Sequence, residues 1–338
     1  IPTVQTTPHY DEVLSNQEID VRNFEKLGAL HTVCDANHEA LKKISIPNVQ
    51  TTQNYDEVLS NQEIEQVVIA IPTPLHFAFA KKALLAGKDV FVEKAMTLCL
   101  GEALELIDLA NSHKRILMVG HILLYHPCIA KIKQLLDEKV LGDILYFSCM
   151  RFNFGNTGSE DSALFAFAAH DISLLLYLYS DYYPTAVQCR KASYFTEHLW
   201  DQNVLDIEFN NGVHAHIHTN WLYPQPERKL VIMGTKGSIV FDDKKSWGEK
   251  ITFVKNQSAL KDQPSISHQR ESEYVPVAEG EPLSQECRHF IESCKNRTEP
   301  RSNGEEGARV MHVLEVAQES AKAQGKKMSL EKLFVAPK

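Results

Sequence analysis

The chain lacks long apolar runs, an excess of positive charge and any paired-cysteine motif. No apolar stretch approaches the roughly 20 residues of a membrane span, so no membrane partner is expected. A formal net charge of −9 at pH 7 argues against a nucleic-acid partner, whose phosphates attract basic surfaces. The seven cysteines, Cys34, Cys99, Cys128, Cys149, Cys189, Cys287 and Cys294, are scattered, odd in number and nowhere spaced Cys-x-x-Cys. That pattern excludes a disulfide framework and fits buried thiols in a reducing, cytoplasmic compartment. The opening residues are polar with no basic region, so no signal peptide is expected. The first residue is not methionine, which fits a fragment or a processed product.

What is present is a near-repeat. Residues 1–20, IPTVQTTPHYDEVLSNQEID, almost copy residues 46–65, IPNVQTTQNYDEVLSNQEIE. The second copy runs into VVIAIPT, a β-branched run of the kind buried on both faces of a parallel sheet. The first runs into VRNFEKLGAL, a helix with Phe24 and Leu27 on its apolar face and Gly28 near its end. A short strand HTVCD and a helix ANHEALKKI follow. From residue 67 strands and helices alternate: VVIAIPT, PLHFAFAKKALLAG, DVFVEKA, LGEALELIDLANSH, ILMVGHI, PCIAKIKQLLDEKV.

At 338 residues the chain is long enough for two domains. The alternation predicts an α/β fold, a doubly wound parallel sheet of Rossmann type over residues 1–122 that is missing its first strand. The pattern changes near residue 143, where DILYFSCMRFNF opens a series of alternating segments and hairpins. Residues 123–338 are read as an α+β domain with a mostly antiparallel open sheet. It forms the substrate and oligomerisation domain, and its closing helices near 283–296 and 303–324 dock back onto the sheets. Its outer face, taken to carry Trp221, is expected to pair copies into a homodimer or homotetramer.

Several residues are placed for chemistry. Asp35 ends the second strand candidate, where a carboxylate accepts hydrogen bonds from an adenosine ribose and repels a 2′-phosphate; NAD is then the cofactor rather than NADP. The plainer reading is a turn aspartate. The loop Ile71, Pro72, Thr73 to His76 leaves the carboxyl edge of the sheet, where Thr73 and His76 face a cofactor or merely cap a helix. Glu93 and Lys94 close a strand at the same edge. A buried lysine there hydrogen-bonds a substrate hydroxyl, whereas an exposed one makes an ion pair.

His170 sits in FAFAAHDISLLLYL, a proton acceptor or a helix-start histidine. Arg151, Asn153 and Gly155 come from RFNFG; Arg151 and Asn153 share a strand face, for a sugar or acidic group or as plain polar surface. His214, His216 and His218 also share a face, but no carboxylate or cysteine is read as completing a shell, so no metal is expected.

Together these segments resemble the Gfo/Idh/MocA family of NAD(P)-dependent sugar oxidoreductases. VVIAIPTPLHFAFAKKALLAGKDVFVEKAM is similar to that family's strand–helix–strand ending in Glu-Lys-Pro, with Ala95 in the proline's place. GHILLYHP, RFNFG, FAFAAHDIS, NWLYPQPERKLVIMGTKGSIVFDDKKSW and EPLSQECRHFIES resemble its UDP-N-acetylglucosamine and UDP-N-acetylglucosaminuronate 3-dehydrogenase branch. The resemblance runs over about residues 21–325.

It implies that Lys94 lies beside the nicotinamide and the reacting carbon, and that His170 is the second catalytic residue. It implies cofactor contacts at Asp35, Ile71, Pro72, Thr73, His76, Glu93 and Lys94. Substrate contacts would come from Lys94, Tyr125, His126, Arg151, Asn153 and His170, with a nucleotide-linked sugar oxidised at C3. Many relatives carry an aspartate where this chain has Ala166. The family opens on a strand and a glycine-rich loop, which residues 1–20 do not resemble; this keeps open a non-catalytic member. An inositol- or glucose-type dehydrogenase acting on a free sugar is the third reading.

Overall fold

The structure is a computed structural model and describes residues 2–6, 21–154, 162–195, 199–255 and 271–333. The chain divides into two units, Ile1–Tyr125 with Glu281–Met311, and His126–Gly280 with His312–Lys338. The first boundary thus falls at Tyr125 rather than at 122, and one closing segment belongs with the first unit.

In the first unit the chain runs β1 (Pro2–Thr6), α1 (residues 21–26), β2 (Thr32–Asp35), α2 (His38–Lys42), β3 (Gln50–Thr52) and α3 (Tyr55–Ser60). It continues through β4 (Gln66–Ile69), α4 (Thr73–Leu85), β5 (Asp89–Glu93), α5 (Leu100–His113) and β6 (Leu117–Gly120). The six strands are parallel, in the order β3-β2-β1-β4-β5-β6. This corrects the expectation of a missing first strand. Pro2–Thr6 takes the central place, with Val4 in register with Val33 on one side and Val68 on the other. A ladder asks only for main-chain donors and acceptors, and Thr and Val favour extended backbone, so a polar segment serves there.

The middles of β4, β5 and β6 are apolar. Val67, Val68, Ile69, Val90, Phe91, Val92, Leu117, Met118 and Val119 are all buried. Each such side chain contributes about 1.5–3 kcal/mol. From the C-terminal segment, α8 (Pro282–Asn296) sets Phe290 against Phe91 with ring centroids 5.5 Å apart.

The second unit holds α6 (Pro127–Asp137), β7 (Ile144–Phe154), α7 (Ala169–Leu178) and β8 (Pro184–Ala192). Next come β9 (Gln202–Phe209), β10 (His214–Asn220), β11 (Leu222–Gly234), β12 (Gly237–Asp242), β13 (Ile251–Lys255) and β14 (Ser272–Tyr274). The chain closes with α9 (Gly304–Lys322), whose later turns belong here, and β15 (Met328–Ser329). Its nine strands run β14-β13-β12-β11-β7-β10-β9-β8-β15. All pairs are antiparallel except β7 with β10.

Trp221 does not lie on an exposed face. It is fully buried, and its indole N–H donates to Asp201 Oδ1 at 2.6 Å, because a buried indole needs an acceptor. The exposed apolar side chains of this sheet are instead Leu145, Tyr146, Phe154, Val204, Tyr223 and Tyr274. A carboxylate does stand beside two of the three histidines: Asp206 meets His214 at 2.9 Å and His216 at 3.3 Å. Among the described residues no group of three such side chains is arranged to hold a metal. The seven cysteines are all free thiols, and no described helix is long and apolar enough to cross a membrane.

Candidate active site

The N-terminal unit gathers its polar side chains at the carboxyl ends of its strands. Asp35 ends β2 and is buried. Its Oδ1 accepts the Asn37 N–H at 2.7 Å, while Oδ2 is buried with no hydrogen-bond partner among the described residues. Burial pushes this carboxyl up, and the Asn37 N–H pulls it part of the way back. A buried, unsatisfied carboxylate oxygen at this place fits a ribose hydroxyl donor.

After β4, Ile71 is buried and Pro72 precedes α4, so the chain turns sharply into the helix at Thr73. His76, one turn in, is buried; its Nδ1 lies 2.7 Å from the Ala95 carbonyl and its Nε2 2.6 Å from the Ile71 carbonyl. Donating to both carbonyls takes an imidazolium. Burial chiefly, and the charge of Lys94, oppose that form and bring the group down to about 4 against the pull of the two carbonyls. The neutral ring therefore donates to one carbonyl at a time and acts as a brace between the 71–73 turn and the 94–95 turn.

Glu93 and Lys94, both half-buried, end β5. The Lys94 main-chain N–H donates to Glu93 Oε2 at 3.1 Å, and the Lys94–Ala95 peptide is cis. Burial raises the Glu93 carboxyl, opposed by Lys94 and then His121. Tyr125 is buried, with its hydroxyl 2.8 Å from Ser302 Oγ and its ring under the Arg301 guanidinium at 5.2 Å. That hydroxyl is already engaged within its own unit.

In the second unit His170 follows a π-helical turn, Leu164–Ala168, and opens α7 half-buried. Such wide turns recur at functional sites because they re-aim the next side chain. The next residue, Asp171, is buried and takes a two-pronged pair from Arg151: Nη2 to Oδ1 at 2.8 Å and Nε to Oδ2 at 3.1 Å. Burial works against the guanidinium's charge, but Asp171 outweighs it and raises Arg151. Arg151 thus ties β7 to the helix that carries His170, and Asn153 is half-buried further along the same strand face. Gly155 lies outside the described residues.

His126 is buried and caps α6, its Nδ1 accepting the Cys128 N–H at 3.1 Å. Its proton is therefore on Nε2, 3.4 Å from Asp243 Oδ1, and its ring stacks on Trp247 with centroids 5.2 Å apart. Burial alone would raise Asp243, but His126 and Lys250 hold it at about 2.

The sequence reading missed Asp171 and Asp243 as partners, and the buried pair of His121 Nδ1 with Glu306 Oε2. Asp171 adjoins a named histidine and was within reach. The others come from segments far apart in the chain, so no local pattern marks them.

The NAD-binding Rossmann fold of the Gfo/Idh/MocA oxidoreductase family matches residues 8–121, and the family's C-terminal alpha/beta domain matches residues 133–330. The chain belongs to this family, and its cofactor is NAD. An inositol 2-dehydrogenase/D-chiro-inositol 3-dehydrogenase of Halalkalibacterium halodurans is 26% identical over 194 residues, 55% of this chain and 56% of that protein. The match thus spans little more than half of that relative's length. The fold is that of UDP-N-acetylglucosamine 3-dehydrogenase from Acidithiobacillus ferrooxidans, with a TM-score of 0.81 at 22% identity over 96% of this chain and 99% of that one. It is equally that of a levoglucosan dehydrogenase solved with NADH and L-sorbose, with a TM-score of 0.83 at 17% identity over 98% and 99%.

Asp35 fits the adenosine end of the cofactor, and the 71–73 turn and Lys94 stand at the same edge of the sheet. The fit is weaker for the phosphates. The first glycine of the chain is Gly28, so no glycine lies between β1 and α1, where this fold brings its backbone against the pyrophosphate.

Proposed function

We propose that the chain oxidises a secondary hydroxyl of a cyclic sugar, C3 of a nucleotide-linked sugar of the UDP-N-acetylglucosamine or UDP-N-acetylglucosaminuronate type. The observation that carries this is Lys94, half-buried at the carboxyl end of β5 beside the Glu93 carboxylate. NAD, when bound, would supply the acceptor for the hydride of the carbinol carbon. Lys94 Nζ hydrogen-bonds the hydroxyl oxygen and stabilises the charge that grows there. His170 takes the hydroxyl proton, with Arg151 and Asp171 fixing its helix. The alcohol becomes a ketone and one proton is released. Asp35 favours NAD over NADP by repelling a 2′-phosphate.

The motifs GHILLYHP, RFNFG and FAFAAHDIS favour the nucleotide-linked sugar. A second reading, a free inositol or glucose, draws on the inositol dehydrogenases among the relatives. A third, a cofactor-impaired member, draws on the missing glycines. We infer that copies assemble as a homodimer or homotetramer through the face bearing Tyr146, Phe154, Val204 and Tyr223, in a reducing cytoplasm.

The test is NADH formation by the purified chain with each UDP-sugar, myo-inositol and glucose, alongside NAD titration by calorimetry. Turnover with a UDP-sugar is expected. Turnover with myo-inositol alone selects the second reading, and absence of both NAD binding and turnover selects the third.

A further inference from the structure

Asp201, immediately before β9, is 2% exposed, and the reaction proposed above gives it no part. Its main-chain N–H donates to the Ala192 carbonyl at 2.9 Å, and its own carbonyl accepts the Trp221 N–H at 3.2 Å. Both side-chain oxygens accept as well, and they face different parts of the second unit. Oδ1 takes the Trp221 indole N–H at 2.6 Å. Oδ2 takes the main-chain N–H groups of Tyr194 at 2.5 Å and Phe195 at 3.3 Å.

The Trp221 side leads towards His170. The indole meets the Phe167 ring edge-on, with centroids 6.5 Å apart. Phe167 belongs to the π-helical turn Leu164–Ala168 and stands three residues before His170. The residue before Asp201 supplies a second support: the Trp200 carbonyl accepts the Ala163 N–H at 2.9 Å, just ahead of that turn. The start and the middle of an uncommon helical geometry are thus both held from the 200–201 segment and its indole partner. On the far side of His170 the Arg151–Asp171 pair holds the next residue, at 2.8 and 3.1 Å. His170 therefore stands between two anchored points, and Asp201 joins the two supports of the first.

We propose that Asp201 is a positioning residue: by holding Trp221 and the 200–201 segment against the π-helical turn, it fixes the place from which His170 meets the substrate. The proposal rests on the reading of His170 as the proton acceptor. A base acts only within hydrogen-bond reach of its proton, so a displacement of about 1 Å costs up to about 10²-fold in rate. A carboxyl group suits the place because each of its oxygens can accept, one towards the indole and one towards the 194–195 turn. Alanine removes both acceptors and leaves three N–H donors without them. The indole then has no fixed seat, and the support under Phe167 loosens.

The first readout does not depend on turnover. Amide hydrogen exchange of the full chain is followed by mass spectrometry over residues 163–170, well below the unfolding temperature. In Asp201→Ala exchange there is expected to rise about tenfold, the worth of one hydrogen bond, while β4, β5 and β6 of the first unit stay as they were. The second readout is kinetic. Turnover per folded chain should fall about 10- to 100-fold with KM changed less than about twofold, whereas a purely structural role lowers only the amount of folded chain. Trp221→Phe, which keeps an aromatic ring and removes the indole N–H, should move both readouts in the same direction. Tyr194→Phe keeps the N–H that Asp201 accepts and loses only an exposed hydroxyl's bond to Gln202 at 3.1 Å, so it should leave both in place. A folded Asp201→Ala chain with unmoved exchange over 163–170, or with normal turnover where His170→Asn is impaired, overturns the proposal. If circular dichroism shows that this variant does not fold, Trp221→Phe is read by the same criteria. Raised exchange with normal turnover in a chain whose His170→Asn variant also keeps full turnover supports the frame and removes the catalytic reading of His170 instead. In a chain without turnover the exchange over 163–170 decides alone.

Discussion

The same stretch of sequence does two jobs in the N-terminal unit. In the first copy Pro2–Thr6 forms β1, paired on both sides; in the second only Gln50–Thr52 forms a strand, and it lies at the sheet edge. One difference between the copies accounts for part of this. Asn48 stands in the left-handed region at φ 64°, which ends a turn before β3. Its counterpart Thr3 is β-branched and already extended within β1. The rest comes from outside the repeat. A VQT segment becomes central or marginal according to which strands flank it, so the ladder rather than the local sequence assigns its place. The copies also lead to different ends: the second runs into β4 and the first into α1.

The largest effect should come from breaking the half of the unit that follows the second copy. Lys94→Met keeps the length of the side chain and removes its charge. Turnover is expected to fall about 10³-fold or more with a smaller change in substrate binding, since the lost interaction belongs to the transition state. Steady-state kinetics with the thermal unfolding curve as a folding control checks this. Near-normal turnover would place the chemistry elsewhere.

Proline scanning tests the two copies as strands. Gln5 is paired with Cys34 and Ile69, so Gln5→Pro removes a ladder bond in mid-sheet. With a partner left unsatisfied, the cost is expected to be about 2–3 kcal/mol. In β3 the Gln50 N–H already donates to His31 O at 2.9 Å. Successive N–H groups of a strand point to opposite sides, so that of Thr51 faces the open edge. Thr51→Pro should therefore cost under about 1 kcal/mol. Equal shifts in the urea midpoint would show that β1 is not held as a central strand.

Much of this was legible before any coordinates. The apolar runs VVIA, DVFV and LMVG must be buried on both faces, and Glu93-Lys94 then falls at the strand end by counting. The central strand was not legible, because Pro2–Thr6 carries none of the apolar signal that marks its neighbours. Trp221 was misplaced for a related reason: alternation gives the face of a strand, but only the Asp201 acceptor shows that its indole is enclosed. The buried contact of His121 with Glu306 joins positions 185 residues apart in the chain. Pairs that meet across such a separation leave no periodic trace.

Asp35 sharpens the comparison at the cofactor. If the glycine-free first copy leaves the phosphates poorly held, the adenosine end carries much of the selectivity. Asp35→Asn keeps the size of the side chain and removes the charge that repels a 2′-phosphate. The affinity ratio of NAD over NADP should fall about tenfold, a difference of about 1.4 kcal/mol. Fluorescence titration with NADH and NADPH reads it. An unchanged ratio would mean that selectivity is set away from β2.

The smallest expected effect comes from making the second copy more like the first. Asn54 caps α3 by accepting the Asp56 N–H at 3.0 Å, and its side-chain amide reaches Glu57 at 3.3 Å. The matching residue of the first copy is His9. An imidazole presents its acceptor on a ring too large for the tight cap geometry, so Asn54→His exposes a first-turn donor and should cost about 1 kcal/mol. The helix should remain, because Tyr55 and Val58 still bury its inner face and the Tyr55 hydroxyl still donates to Phe79 O at 3.1 Å. A shift of this size in the urea midpoint with unchanged helical content is the expected result. A stability unchanged within about 0.2 kcal/mol would mean that the Tyr55 contacts alone place α3, and that the Asn54 cap carries no energetic weight.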